Sequence, residues 1–270
     1  PENVVGAIRS MPLGGMPGED GFTTDWYRAY AEEIAPLLCK LYEECSTDGR
    51  MTELMRQAVV SVIYKQKGPR DGWTSYRPIS VSAVEYKILA KMMQMAVAEE
   101  IHHVISPEQF GFQQGKYIGE AIALAQLVAA RCRHRNLPGL LLLHDGEKAY
   151  DRLQWGWVQE VLEAMGFPAG FRELAALTTT EISSRMKVNG VKGEPFDIHN
   201  SVKQGCPLSP YLYIIALQPL LDALAADGSC VGIAIPGPLG EGEDEVRAGA
   251  YADDIAFYLR DFASLPALEH

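Results

Sequence analysis

The sequence lacks the features that define several large classes of protein. Its five cysteines include no CxxC pair, and none stands at zinc-ligand spacing from a pair of histidines. No signal peptide opens the chain, and no uninterrupted apolar run reaches the roughly 20 residues that a membrane span needs. The longest apolar stretch, 211–226, is broken by Gln218, Pro219 and Asp222. We therefore expect a protein of a reducing compartment that is neither secreted nor membrane-spanning.

Positive charge is also scarce. The 270 residues include 24 Lys and Arg against 35 Asp and Glu, a formal net charge of −11. This balance alone argues against nucleic-acid binding, because neutralising phosphates requires a basic surface. Residues 65–91, however, hold six Lys or Arg against two acids, and 131–135 form a second basic cluster. A contact surface can therefore be basic although the whole chain is acidic.

Apolar residues recur at helical spacing over much of the chain. The predicted helices are 24–45, 51–58, 84–104, 120–133, 155–166 and 212–226. Pro219 is expected to interrupt or bend the last of these helices. Residues 1–22, rich in Gly and Pro, are predicted to form a loop.

Short β-rich segments alternate irregularly with these helices, which predicts an α+β fold. The predicted strands are 59–64, 139–145, 185–188, 195–202 and two strands within 249–259. Asn189-Gly190 is typical of a hairpin turn. The continuous apolar run that begins at Gly139 predicts a strand buried on both faces.

Carboxylates end two of these strands. Asp145 follows the leucines 140–143, and Asp253 and Asp254 form the bend within 249–259. A carboxylate at the edge of a buried strand is costly to desolvate unless a cation compensates it, and no cationic residue adjoins the aspartate pair. A divalent metal would supply that charge. The alternative is that these residues are a polar turn and an ordinary strand end.

Three motifs together resemble the reverse transcriptases of non-LTR (LINE-type) retrotransposons: Tyr-Ala-Asp-Asp at 251–254, Asp-Gly-Glu-Lys-Ala-Tyr-Asp at 145–151, and Gln-Gly-Cys-Pro-Leu-Ser-Pro at 204–210. The resemblance implies a right-hand polymerase fold whose palm is an antiparallel sheet packed on helices. The fingers would be mainly 1–138 and the palm 139–267. The thumb is expected to be absent, with 268–270 a tag remnant.

The resemblance also implies a metal site and a nucleotide site. Asp145, Asp253 and Asp254, with the carbonyl of Gly146, would hold two catalytic Mg²⁺ ions, with Mn²⁺ as a substitute in vitro. The residues implied to bind the nucleotide are Lys65, Arg77, Tyr150, Gln204 and Gly205. Arg and Lys suit a triphosphate, because both neutralise phosphate and Arg also makes fork-like contacts.

Tyr150 would be the steric gate that crowds the sugar 2′ position and so favours deoxynucleotides. The residues implied to contact the template are Phe110, Gly111, Phe112 and Pro207. The partners would be an RNA template, a DNA primer and a dNTP, without a membrane. The parent polyprotein would supply a thumb and would act in the nucleus and cytoplasm; the sequence leaves open whether it also carries an endonuclease.

The function that the resemblance implies is RNA-templated DNA polymerisation, by two-metal transfer of a nucleotide from a dNTP to a primer 3′-hydroxyl. Other readings stay open. A group II intron maturase-like protein or an RNA-templated RNA polymerase would share the carboxylates. A catalytically silent, reverse-transcriptase-like RNA-binding scaffold would have no need of three costly acids at one edge.

Overall fold

The computed structural model describes residues 1–237 and 242–268. Contacts divide the chain into two compact units, each made of two separate segments. The first unit is Pro1–Val97 with Tyr150–Leu212, and the second is Ala98–Ala149 with Tyr213–His270. These units interleave along the chain, so the division into fingers at 1–138 and palm at 139–267 remains a prediction. The tag remnant predicted at 268–270 lies mostly outside the described residues.

Ten α-helices occur in the described parts of the chain. They are α1 Glu2–Ser10, α2 Thr24–Ala29, α3 Ala31–Asp48, α4 Glu53–Arg56, α5 Val84–Glu100, α6 Ile118–Arg135, α7 Ala149–Arg152, α8 Trp155–Ala164, α9 Ala169–Leu177 and α10 Ser209–Ala226. Local sequence sets several of their ends. The side chain of Thr23 caps α2 by accepting from the Trp26 N–H, and Gly49 ends α3 in the left-handed conformation.

Helix α1 corrects the prediction of a loop over 1–22. Its residues Val4, Val5 and Ile8 lie on one buried face, at the spacing of an amphipathic helix. The glycines and prolines that favoured a loop are concentrated after Ser10, where the helix has ended.

In residues 1–237 and 242–268, nine strands form three sheets. They are β1 Gln57–Tyr64, β2 Tyr76–Ser82, β3 Leu140–Asp145, β4 Ser183–Val188, β5 Val191–Asp197, β6 Ile233–Pro236, β7 Glu243–Val246, β8 Ala248–Tyr251 and β9 Asp254–Leu259. The first unit contains a sheet of order β2-β1-β4-β5, in which β1 pairs antiparallel with β2 and parallel with β4. Strands β6 and β7 form a separate antiparallel pair.

The hairpin of β4 and β5 turns at Asn189-Gly190, as predicted. Both residues have positive φ, 49° and 84°, which this dipeptide adopts readily in a two-residue hairpin turn. The second strand covers Val191–Asp197 and not 195–202, so it follows the turn directly.

The antiparallel sheet β3-β9-β8 carries the core of the second unit. On one side of β9, Ile255 and Leu259 pack with Leu221 and Leu224 of α10. On the other side, Tyr258 packs with Val128 of α6. The central strand β9 is therefore covered on both faces by helices.

Strand β3 exists as predicted, but it is not buried on both faces. It is the edge strand of its sheet, and its residues from Leu141 to Asp145 are exposed. The side chains of Leu141 and Leu143 are 52% and 74% exposed. The apolar run of β3 predicted a central strand covered on both faces, but that position in the sheet belongs to β9.

Pro219 is predicted to interrupt or bend its helix, but helix α10 runs unbroken from Ser209 to Ala226, so Pro219 does not interrupt it. Proline removes only one N–H donor, and the helix continues through it. By length and composition α10 could cross a membrane, but 44% of it is buried inside the protein. Buried core helices meet the same criterion. Its Gln218 is fully buried and donates to Asp222 at 2.6 Å.

Candidate active site

Three aspartates lie together at one end of the β3-β9-β8 sheet. Asp145 pairs with Asp254 as the final position in the register of β3 and β9. Asp253 occupies the tight turn between β8 and β9. A Cβ placed on Gly146 would lie 3.7 Å from the Cβ of Asp253, so the chain after Asp145 approaches the turn closely. The structure thus brings together the four residues predicted to bind metal.

The electrostatics of these aspartates favour a cation. Burial raises the pKa of Asp254, and the negative charges of Asp253 and Asp145 raise it further. Within the described residues, no salt bridge includes any of the three. Their oxygen atoms are ligands that Mg²⁺ and Mn²⁺ prefer. The donor set therefore fits a divalent cation in chemistry and charge.

The coordination geometry itself is not formed. Among residues 1–237 and 242–268, no group of three or more His, Cys, Asp or Glu side chains is arranged to hold an ion. A cavity of about 350 Å³ lies beside the carboxylates, and its lining includes Asp145, Asp254, Tyr251 and Leu143. This cavity provides space next to two of the carboxylates.

Tyr213 is a residue of this region that the motifs did not indicate. A Cβ on Gly146 would lie 3.8 Å from its hydroxyl oxygen. Burial, and then the negative charge of Asp253, raise the pKa of Tyr213 to about 12. The phenol therefore remains protonated and neutral at physiological pH beside the carboxylates.

Gln109 is a second residue that sequence reasoning did not select. It is completely buried, and its side chain bonds to the backbone of Ala252, in the Asp253-Asp254 turn. Its Oε1 accepts from the Ala252 N–H at 2.9 Å and from the Gly111 N–H at 2.8 Å. The sequence offers no local signal for this contact, because the partners are 143 residues apart.

The residues predicted to contact template at 110–112 lie against the same turn. The Phe110 N–H donates to the Ala250 carbonyl at 2.7 Å. A Cβ on Gly111 would lie only 2.6 Å from the Ala252 nitrogen, so only glycine fits there. Phe112 is exposed with a φ of 56°. Phe110, Gly111 and Phe112 are thus gathered beside the carboxylates, whereas Pro207 belongs to the first unit.

All five residues predicted to bind the nucleotide belong to the first unit. Lys65 and Arg77 are exposed on the β1–β2 hairpin, where Arg77 pairs with Ile63 in the strand register. The ammonium of Lys65 donates to the Thr74 carbonyl at 3.0 Å. In the described parts of the chain neither cation has an acidic partner, so both charges are available to a phosphate.

Gln204 and Gly205 lie against β2, the strand that carries Arg77. The Ser80 N–H donates to the Gln204 carbonyl at 3.1 Å. Gly205 has a φ of 105°, and a Cβ there would lie 3.2 Å from the Ser80 oxygen. The carbonyl of Tyr150 accepts from the Val202 N–H at 3.0 Å, which ties Tyr150 to the segment preceding Gln204. The structure therefore groups Arg77, Gln204 and Gly205, with Tyr150 attached through the backbone.

A buried cation flanks this segment and was not predicted. The Lys203 ammonium lies 4.0 Å above the ring of Tyr86, and Tyr86 donates its hydroxyl to Cys206 Sγ at 3.4 Å. The Lys203 nitrogen has no hydrogen-bond partner. Burial lowers the pKa of Lys203 to about 8. Tyr86 of α5 thus holds residues on both sides of Gln204-Gly205.

Comparison with known sequences identifies the class. Residues 63–267 match the family described as reverse transcriptase (RNA-dependent DNA polymerase). This chain belongs to the reverse transcriptase family, and its mixed helices and sheets confirm the predicted α+β fold of polymerase fingers and palm.

The chain is similar to proteins of non-LTR retrotransposons, as predicted. It is 28% identical over 96% of its length to the "Transposon TX1 uncharacterized 149 kDa protein" of Xenopus laevis. It is 27% identical over 96% of its length to the "Retrovirus-related Pol polyprotein from type-2 retrotransposable element R2DM" of Drosophila melanogaster. A further relative, at 24% identity over 79% of the chain, is the "Probable RNA-directed DNA polymerase from transposon BS" of Drosophila melanogaster. The chain spans 19%, 23% and 24% of these three relatives.

Proposed function

We propose that this chain is the catalytic part of a reverse transcriptase, which extends a DNA primer on an RNA template with dNTPs. The observation that supports the proposal most directly is the pairing of Asp145 with Asp254, next to Asp253 in the turn. Three acids at one sheet end raise the free energy of the folded protein, because like charges repel. A bound divalent cation offsets that cost, and the family performs chemistry that needs one.

The residues that would hold the metal ions are Asp145, Asp253, Asp254 and the carbonyl of Gly146. Two bound Mg²⁺ ions, or Mn²⁺ in vitro, would supply activation of the primer 3′-hydroxyl and neutralisation of the triphosphate. The carboxylates must be ionised to bind these ions. The neutral phenol of Tyr213 adds no charge beside them.

The remaining predicted residues would bind the substrates. Arg77 and Lys65, exposed and without acidic partners among the described residues, would neutralise the triphosphate. Tyr150 would exclude the ribose 2′-hydroxyl. Gln204 and Gly205 would contact the incoming nucleotide, since a glycine permits close backbone approach to a base.

The template would contact Phe110, Gly111, Phe112 and Pro207. The exposed ring of Phe112 offers a surface on which a base can stack. The net charge of −11 means that binding depends on local basic clusters such as 65–91. We therefore propose weak template binding that falls steeply with salt.

Primer extension tests the proposal. The chain is incubated at low salt with an RNA template, a DNA primer and dNTPs, with Mg²⁺ and then Mn²⁺. Asp253→Asn should abolish extension. The matched control is Asp227→Asn, a half-buried site at which the amide oxygen can still accept from the Ser229 N–H.

Extension that survives in Asp253→Asn contradicts the proposal. The unmodified chain can also bind the RNA–DNA hybrid without extending the primer in either metal. If a longer piece of the parent protein gives the same result, a silent RNA-binding scaffold is favoured instead.

A further inference from the structure

One buried side chain, that of Gln109, bonds to the backbone of the turn that carries the aspartates. Gln109 accepts from the Ala252 N–H at 2.9 Å, and its Nε2 lies 3.5 Å from the Ala252 carbonyl, to which it donates. Both backbone polar groups of Ala252 are therefore bonded to the same amide. Ala252 is itself buried, so water cannot replace these bonds.

Ala252 has an unfavourable backbone conformation. Its φ is 56°, in the left-handed region that residues with a Cβ seldom adopt. Such a conformation persists only where surrounding contacts impose it. The hydrogen bonds from Gln109 are contacts of that kind, and the next residue along the chain is Asp253.

Residues 110 and 111, which follow Gln109, pack against the same turn at Ala252. Gly111 donates its N–H to Gln109 Oε1 at 2.8 Å, and its own Cα approaches the Ala252 nitrogen so closely that no side chain fits. Phe110 bonds to the Ala250 carbonyl at 2.7 Å. Gln109 thus accepts from two chain segments and joins them around Ala252.

We propose that Gln109 is a positioning residue, which holds Ala252 in the left-handed conformation and so orients Asp253 and Asp254 for divalent-cation binding. This inference rests on the proposed function, because it assigns the aspartates to a metal site. A glycine at position 252 would adopt the same φ without strain, but it would leave the turn more flexible. In contrast, Ala252 held by the hydrogen bonds of Gln109 restricts the turn to one conformation.

Metal titration with matched variants tests the inference. Gln109→Met keeps the size of the side chain and removes all three hydrogen bonds. The control is Gln218→Met, which replaces another fully buried glutamine of the same unit, bonded to Ser106 and Asp222. Mn²⁺ affinity is measured by the paramagnetic signal of free Mn²⁺, and Ala252 amide exchange is measured separately.

Gln109→Met should weaken Mn²⁺ binding by about 10–100-fold, the range found when groups that orient metal ligands are removed. It should also accelerate Ala252 amide exchange. Gln218→Met should leave Mn²⁺ affinity within about twofold, even where it lowers the melting temperature. Adding Ala252→Gly to Gln109→Met should recover a large part of the lost affinity, because glycine accepts the required φ.

Each outcome is decisive. If Asp253→Asn binds Mn²⁺ as tightly as the unmodified chain, the proposed function fails and the inference fails with it. If Asp253→Asn is weakened but Gln109→Met matches Gln218→Met, only the inference is overturned. If Gln109→Met does not fold, restored folding in the Ala252→Gly double variant supports the inference, and continued failure to fold overturns it.

Discussion

Asp145 and Asp254 are directly opposite each other in the register of β3 and β9. Like charges opposite one another on neighbouring strands destabilise a sheet. Burial, and then the charges of Asp253 and Asp145, raise the pKa of Asp254 because they disfavour its ionised form. Repulsion among the aspartates thus lowers the folding stability at the proposed metal site.

Asp254→Asn should therefore stabilise the metal-free fold, by about 0.5 kcal/mol, while abolishing primer extension. Urea unfolding at neutral pH measures the first effect and the extension assay the second. Since the pKa of Asp254 is raised in the folded state, the gain should shrink as pH falls and the native carboxyl becomes protonated. A destabilised Asp254→Asn would mean that the carboxylate makes a favourable contact.

Tyr150→Ala should allow ribonucleotides to be incorporated, because the bulk that crowds the 2′ position is removed. Incorporation of rNTPs and dNTPs is compared on the same RNA template, as the ratio of their kcat/KM values. Tyr150→Phe keeps the ring and should retain the preference for dNTPs. An unchanged ratio in Tyr150→Ala would remove Tyr150 from the sugar-selecting role.

Lys203→Met should change how stability depends on pH. Because burial lowers the pKa of Lys203 to about 8 from its usual 10.5, the unfolded chain binds more protons than the native one between these values. The stability of the unmodified chain should therefore rise with pH across this window relative to Lys203→Met, by up to about 3 kcal/mol.

Urea unfolding at several pH values between 7 and 10.5 measures this difference, with Lys67→Met as the control at an exposed lysine. A difference between Lys203→Met and the unmodified chain that stays constant with pH would show that Lys203 keeps its ordinary pKa.

Gly205→Ala should destabilise the first unit by about 1–3 kcal/mol, since a φ of 105° strains a residue with a Cβ and that Cβ would lie only 3.2 Å from the Ser80 oxygen. If the backbone here approaches the nucleotide, the KM for dNTP should rise more than kcat falls. Gly190→Ala, also at positive φ but in a surface turn with open space, controls for strain alone. Equal effects of both changes on KM would argue against a nucleotide contact at Gly205.

Local sequence was sufficient for several elements. The Asn189-Gly190 turn was predictable because φ > 0 at two successive residues favours that dipeptide. The strand–turn–strand around Asp253 was predictable because apolar residues flank two polar ones. In each case the determining interactions lie within a few residues of one another.

Contacts between residues far apart in the chain could not be predicted from local sequence. Gln109 bonds to Ala252 across 143 residues, and Lys203 stacks on a tyrosine of α5. The exposure of β3 depends on its place at the edge of a sheet, which its own leucines do not encode. Helix α1 was missed for a different reason, because the glycines that follow it outweighed its short apolar pattern.

The leucines of β3 also affect how this protein behaves in solution. An edge strand with exposed apolar side chains and no proline offers its backbone to a second chain, as in aggregation. The net charge of −11 opposes such encounters by mutual repulsion. Added salt screens that repulsion, and acidification toward the isoelectric point near 5.0 removes it. The protein should therefore stay dispersed in dilute, neutral buffer and precipitate when it is salted or acidified.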